Sequence, residues 1–207
     1  MWEQLSKMDF GQINLASIAS GLMGAIFGQA VRSFIEWKNA PNLKIFFEPE
    51  ISGCVRDNIE FIDINDPLKT IFKRRYLRAK IVNTGNNNAS NVRVMITDIQ
   101  FCHSTTNFDC EVIDLHWSNA ENLTEADIPS KSHRFVDIVS VVHETRHLCI
   151  HGTSNLSGLE TIRNEAITIT LIVAAKNSKT QKKIIRFSYE ADAASLQIQP
   201  SRCFKLI

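Results

Sequence analysis

Between Asp9 and Arg32 the chain carries no charge: the run Phe10 to Val31 (FGQINLASIASGLMGAIFGQAV) holds only apolar, small or weakly polar side chains. As a helix rising about 1.5 Å per residue it would be roughly 33 Å long, enough to cross a hydrocarbon core of about 30 Å. A transmembrane α-helix over residues 10–31 is therefore the first expectation. A buried helix of a water-soluble domain would line its polar residues along one stripe, whereas Gln12, Asn14 and Gln29 fall at the ends of the run. A cleaved signal peptide would start with basic residues. Here Glu3 and Asp9 outnumber Lys7, although Gly28-Gln29-Ala30 imitates a cleavage site. A helix lying in the interface needs a strongly charged face, which this run lacks.

Flanking charge orients the span. Arg32, Lys38 and Lys44 follow it and Lys7 alone precedes it, which places the C-terminal part in the cytoplasm, with Trp2 and Trp37 as interfacial anchors. The five cysteines (Cys54, Cys102, Cys110, Cys149, Cys203) are odd in number and lack framework spacing, as suits reduced intracellular thiols. Glycosylation-like triplets at Asn88, Asn122 and Asn155 carry no meaning in that compartment. Inside the span, Ala16, Ser20, Gly24 and Gly28 recur at helical spacing, and the last two form a GxxxG pair. Small residues permit close backbone approach in lipid, so homo-oligomerisation through this helix face is expected; ordinary use of small residues in membrane helices is the plainer explanation.

The remainder, residues 40–207, has the length of one domain, following a membrane-anchoring segment of residues 1–39. Pro41 ends the helix, and strand-like stretches follow at Leu43 to Glu50, Ile59 to Ile64 and Tyr76 to Val82. The third ends in Asn83-Thr84-Gly85, turn chemistry that predicts an antiparallel return through Val92, Val94 and Ile96. Further strands are expected at Cys110 to Trp117, Arg134 to Val142 and Leu148 to Ile150. A final pair, Ile167 to Ala175 and Lys182 to Tyr189, is joined by a polar turn. Seven or more strands without a competing helical pattern predict a mainly β domain, an antiparallel β-sandwich.

The run Tyr76 to Gln100 (YLRAKIVNTGNNNASNVRVMITDIQ), followed by Leu115-His116-Trp117, Asp127-Ile128-Pro129 and Arg134 to Val139 (RFVDIV), resembles the immunoglobulin-like domain of bacterial membrane-anchored proteins of undefined function. The resemblance spans roughly Leu43 to Tyr189 and implies an immunoglobulin-like sandwich. It implies no catalytic residue and no cofactor.

One motif points elsewhere. His143-Glu144-Thr145-Arg146-His147 fits HExxH, which on a helix places two imidazoles on one face for zinc while the glutamate activates water. The segment around Glu165 resembles the third-ligand segment of thermolysin-like zinc peptidases, which implies His143, His147 and Glu165 as metal ligands and Glu144 as base. The β-branched run Val139, Val141, Val142 before the motif and the alternation after Glu165 argue against the helices this chemistry needs. Cys102, His103 and Cys110 could approach His147, Cys149 and His151 if their strands were neighbours, but the close cysteine pairs of structural zinc sites are missing. His116 beside Trp117 fits a packed strand. No phosphate-binding glycine loop or nucleophile elbow is present.

Lys and Arg total 23 against 22 Asp and Glu, so no general field draws the chain to nucleic acid. A local cluster of Lys69, Lys73, Arg74, Arg75, Arg78 and Lys80 could meet anionic headgroups of a lipid bilayer, with Lys73, Arg74 and Arg75 at its centre. On a strand the same residues also serve as a solvated face that discourages edge pairing. Lys176 to Lys183 forms a second basic turn. Together these features predict a non-enzymatic, single-pass protein that self-associates through its helix and binds a partner protein with a cytoplasmic sandwich. A membrane-acting sensor, for example in defence, with a ligand-binding sandwich is the alternative, and a zinc peptidase the second.

Overall fold

The computed structural model describes residues 15–63, 66, 70–102, 112–120, 123–152, 164–190 and 195–199. The chain divides into two units, Met1–Ala40 and Pro41–Ile207.

In the first unit, helix α1 (Leu15–Asn39) forms where Ala, Leu, Met and Gln abound and no proline intervenes before Pro41. Met23, Ile26, Phe27, Phe34 and Ile35 are all exposed. At 100° per residue Met23, Phe27, Ala30 and Phe34 share one side, while Gln29, Arg32, Ser33 and Glu36 share the other. Arg32 Nε meets Glu36 Oε1 at 2.8 Å on that polar side. The sequence predicted a membrane-crossing helix, but no helix among the described residues is long and apolar enough to cross a membrane. Polar and charged residues return along one face from Gln29 onward, so the apolar side chains form a stripe there instead of a continuous belt. Residues 10–14 of the expected span lie outside the described residues.

The second unit is mainly β, built from two antiparallel sheets. β1 (Leu43–Phe46), β2 (Val55–Ile62), β3 (Thr70–Asn83), β7 (His133–Val142) and β8 (Leu148–Ile150) make the first, in the order β1-β3-β7-β8. β7 takes one edge of β3 from Arg74 to Val82, so β1 and β2 share the other edge end to end. The second sheet runs β11-β10-β9-β4-β5, from β11 (Ser195–Ile198), β10 (Ser178–Glu190), β9 (Glu165–Ala175), β4 (Ala89–Phe101) and β5 (Ile113–Asp114), and β6 (Glu125–Ile128) also pairs with β4.

Alternation along each strand supplies the core. Leu77, Ala79 and Ile81 of β3 and Val136 and Val141 of β7 are buried against Val94 and Ile96 of β4, Ile169 and Leu171 of β9 and Phe187 of β10, all in one cluster. Each large side chain so buried contributes about 1.5–3 kcal/mol.

The expected return of β3 into β4 does not occur. β3 pairs with β7 and β4 with β9, so the two neighbours in sequence lie in opposite sheets. Asn83, fully buried, fixes the crossing. Its Nδ2 donates to the carbonyls of Asn87 (2.8 Å), Ile128 (3.1 Å) and Pro129 (3.3 Å), and its Oδ1 accepts from the amides of Asn42 and Gly85. A hairpin would leave this side chain in solvent; the corner uses it to satisfy backbone groups that the sheets abandon. The sequence also missed β6 and β11, four-residue strands too short to show a period. The strand expected over Cys110 to Trp117 survives only as Ile113–Asp114 and a bridge from Trp117 to Val136; Cys110 and Glu111 lie outside the described residues.

Candidate functional site

The pleat that buries Leu77 and Ala79 turns Arg74, Tyr76 and Arg78 to the outer face of the first sheet. A shift in β3–β7 register between Leu77 and Arg78 sets Asp137 opposite Arg78 and Ser140 opposite Tyr76. Beside them the chain leaving β5 joins the edge of β7. Trp117 bridges to Val136, the Ser118 amide donates to Phe135 O (2.9 Å), and the Ser118 hydroxyl donates to Asp137 Oδ1 (2.5 Å). Between this segment and β2 lies a groove of about 370 Å³. Arg56, Phe61, Arg74, Tyr76 and Arg78 line it from β2 and β3, and His116, Trp117, Asn119, Asp137 and His151 complete it.

Its charges are unbalanced. Arg56, Arg74 and Arg78 line the groove, and Asp137 is the sole carboxylate among the lining residues. Arg78 is almost wholly buried: its Nε donates to Gly53 O at 2.9 Å and its guanidinium lies 4.6 Å from the Phe135 ring centre. Burial pulls its pKa down, Asp137 pulls it back up, and Arg56 pushes it down again. Arg74 rests over the stacked rings of Phe61 and Phe72, at 5.3 and 5.1 Å. Its Nε is buried with no acceptor among the described residues, as is the indole N–H of Trp117. His151 stacks on Tyr76 with ring centres 5.4 Å apart, and its Nε2 meets the Ser140 hydroxyl at 2.8 Å. Burial lowers the His151 pKa; Asp137 opposes that shift, and Arg74 and His116 add to it. The groove therefore combines cations, flat rings and a neutral imidazole. Such a surface is suited to an anion attached to a planar group.

The residues singled out from sequence fall in several places. The basic triplet splits by alternation: Lys73 pairs with Glu60 (3.0 Å) and Arg75 with Asp57 (3.1 Å), while Arg74 turns into the groove. A Cβ added at Gly24 or Gly28 would meet nothing within 4 Å, so that stretch of α1 is open; the side chains of Ala16, Ser20 and Trp37, and all of Trp2, lie outside the described residues. The HExxH segment is a tight turn between β7 and β8 rather than a helix. There the His143 amide donates to Lys73 O (3.0 Å), and both Glu144 carboxylate oxygens accept the Lys73 N–H, at 3.0 and 3.1 Å. Glu165 opens β9 in the other sheet, paired with Tyr189. Among the described residues no three His, Cys, Asp or Glu side chains converge on a metal position. Cys102 and Cys149 are free thiols, and burial raises the pKa of Cys54; His103, Cys110 and Lys69 lie outside the described residues.

Arg56, Trp117, Asp137 and His151 were not legible as a site in the sequence. The spacing of Arg74, Tyr76 and Arg78 marks a single strand face, but the opposing wall comes from distant segments. No protein-family model, curated protein or solved structure matches this chain.

Proposed function

We propose that this is a non-enzymatic, membrane-attached sensor whose β domain captures an anionic ligand in the groove of its first sheet, while α1 supplies attachment and self-association. The observation that carries it is the grouping of Arg56, Arg74 and Arg78 around one concavity with Asp137 as their sole opposing carboxylate. Guanidinium groups in a partly desolvated cleft bind phosphate or carboxylate through charge-assisted, forked hydrogen bonds. The domain is read as an immunoglobulin-like sandwich, a reading supported by the order β1-β3-β7 in one sheet and β10-β9-β4 in the other, which parallels strands A-B-E and G-F-C of that class. Membrane attachment and a cytoplasmic domain draw support from the exposed apolar side chains Met23, Phe27 and Phe34 and from the basic residues after them.

Calorimetric titration of the detergent-solubilised full chain with pyrophosphate tests the capture step. Binding should weaken as salt rises and disappear in the double variant Arg56→Glu, Arg74→Glu, with unfolding temperature preserved. Unchanged binding in that variant would remove the groove from the proposal.

A further inference from the structure

We infer that the groove takes a single nucleoside monophosphate, its phosphate held by Arg56 and Arg74 and its base laid on the aromatic wall; this rests on the anion-capture reading above.

Size comes first. About 370 Å³ falls toward the lower end of small-molecule sites, which span roughly 300–1,000 Å³, and suits one compact ligand rather than a polymer. Charge comes second. Three arginines against one carboxylate leave the groove about two positive charges in excess, histidines aside, a match for a phosphate monoester dianion. The cations stem from two adjacent strands, β2 and β3, so they can close on one phosphate from two directions.

The remainder of the lining separates ligand classes. Phe61 and Tyr76 give the groove more aromatic surface than a bare phosphate or an acidic peptide would use; Trp117 also lines it but is buried in the core. Bases stack on such rings whatever their identity, at about 1–3 kcal/mol each. Asp137 and Asn119 also line the groove. Ser118 occupies one oxygen of Asp137, and no described donor bonds the other, leaving an acceptor for a ribose hydroxyl or an exocyclic amine. A ligand carrying a phosphate, hydroxyls and a ring uses all of these features together.

The test is titration of the full chain in detergent with AMP and GMP, beside adenosine, ribose 5-phosphate, inorganic phosphate and a tetraglutamate peptide. A nucleoside monophosphate should bind at least about tenfold more tightly than any of the four controls, and Arg56→Ala and Arg74→Ala should each weaken it about tenfold or more at unchanged unfolding temperature. Binding should also quench tryptophan fluorescence in the parent and not in Trp117→Phe. Equal affinity for ribose 5-phosphate or inorganic phosphate overturns the nucleotide assignment and leaves anion capture standing. Equal affinity for adenosine, or preference for the peptide, overturns it as well. Binding of none of the probes overturns both.

Discussion

Asn83 and His151 show how single side chains set the limits of this domain. Asn83 is buried; the two N–H groups of its Nδ2 serve three carbonyls, one of them shared, and its Oδ1 accepts two bonds. Asn83→Ala leaves the carbonyls of Ile128 and Asn87 and the amide of Asn42 without this partner, and should cost about 2–4 kcal/mol in urea unfolding of the full chain. A loss under about 1 kcal/mol would mean that water substitutes freely at the corner. His151 makes stability depend on acidity. Its folded-state pKa is lowered by burial, so on acidification the unfolded chain takes up a proton before the folded one. Stability is complete above the ordinary histidine pKa of about 6.5 and declines as the pH falls below it. His133, lowered by burial and by Lys80, acts in the same direction. Replacing His151 with Gln, which can still meet Ser140, should give a shallower fall in the urea midpoint between pH 7 and pH 5; an unchanged slope would show that His151 does not carry the effect. Neither role was legible in the sequence, where Asn83 belonged to an asparagine-rich turn and His151 to a loose zinc set.

At the scale of elements, the turn before β2 and the pleat of β3 position the groove together. Gly53 has φ +91°, and a Cβ there would lie 2.6 Å from Phe135 Cζ, the ring on which Arg78 rests. Gly53→Ala should therefore destabilise the fold by about 1–3 kcal/mol and weaken pyrophosphate binding, because the ring must shift and Arg78 with it. Binding at full strength in this variant would show that Arg78 does not depend on the Phe135 platform. Sequence reading performed well where period 2 was long: β3, β4, β7, β9 and β10 all lie where alternation placed them. It failed where a turn signal had to choose between a hairpin and a crossing. Asn83-Thr84-Gly85 is compatible with both, and only the burial of Asn83 against Ile128 and Pro129 decides between them. HExxH failed in the complementary way, since its spacing has meaning only on a helix and β-branched residues carry the strand right up to it.

Over the whole molecule, every described residue of the hydrophobic core belongs to Pro41–Ile207. A chain starting at Pro41 should thus unfold cooperatively with the urea midpoint of the full chain, while the full chain alone floats with anionic vesicles in a density gradient. Flotation of the shortened chain would move membrane attachment from α1 to the β domain. The same layout bears on how the protein is made. β4 (Ala89–Phe101) finds its central partner in β9 (Glu165–Ala175), and its near neighbour β3 belongs to the other sheet. Long-range pairing of this kind is slow to assemble. Ribosome-bound chains arrested before Glu165 should accordingly be digested by protease, and chains extended past Gln199 with a tunnel-filling linker should resist it; early resistance would imply a different order of assembly. Val92, Val94 and Ile96 leave the exit tunnel with no sheet to join, well after α1 has emerged. On the proposed function, α1 would thus be free to reach a membrane before the chain owns a binding surface, and attachment would precede ligand capture.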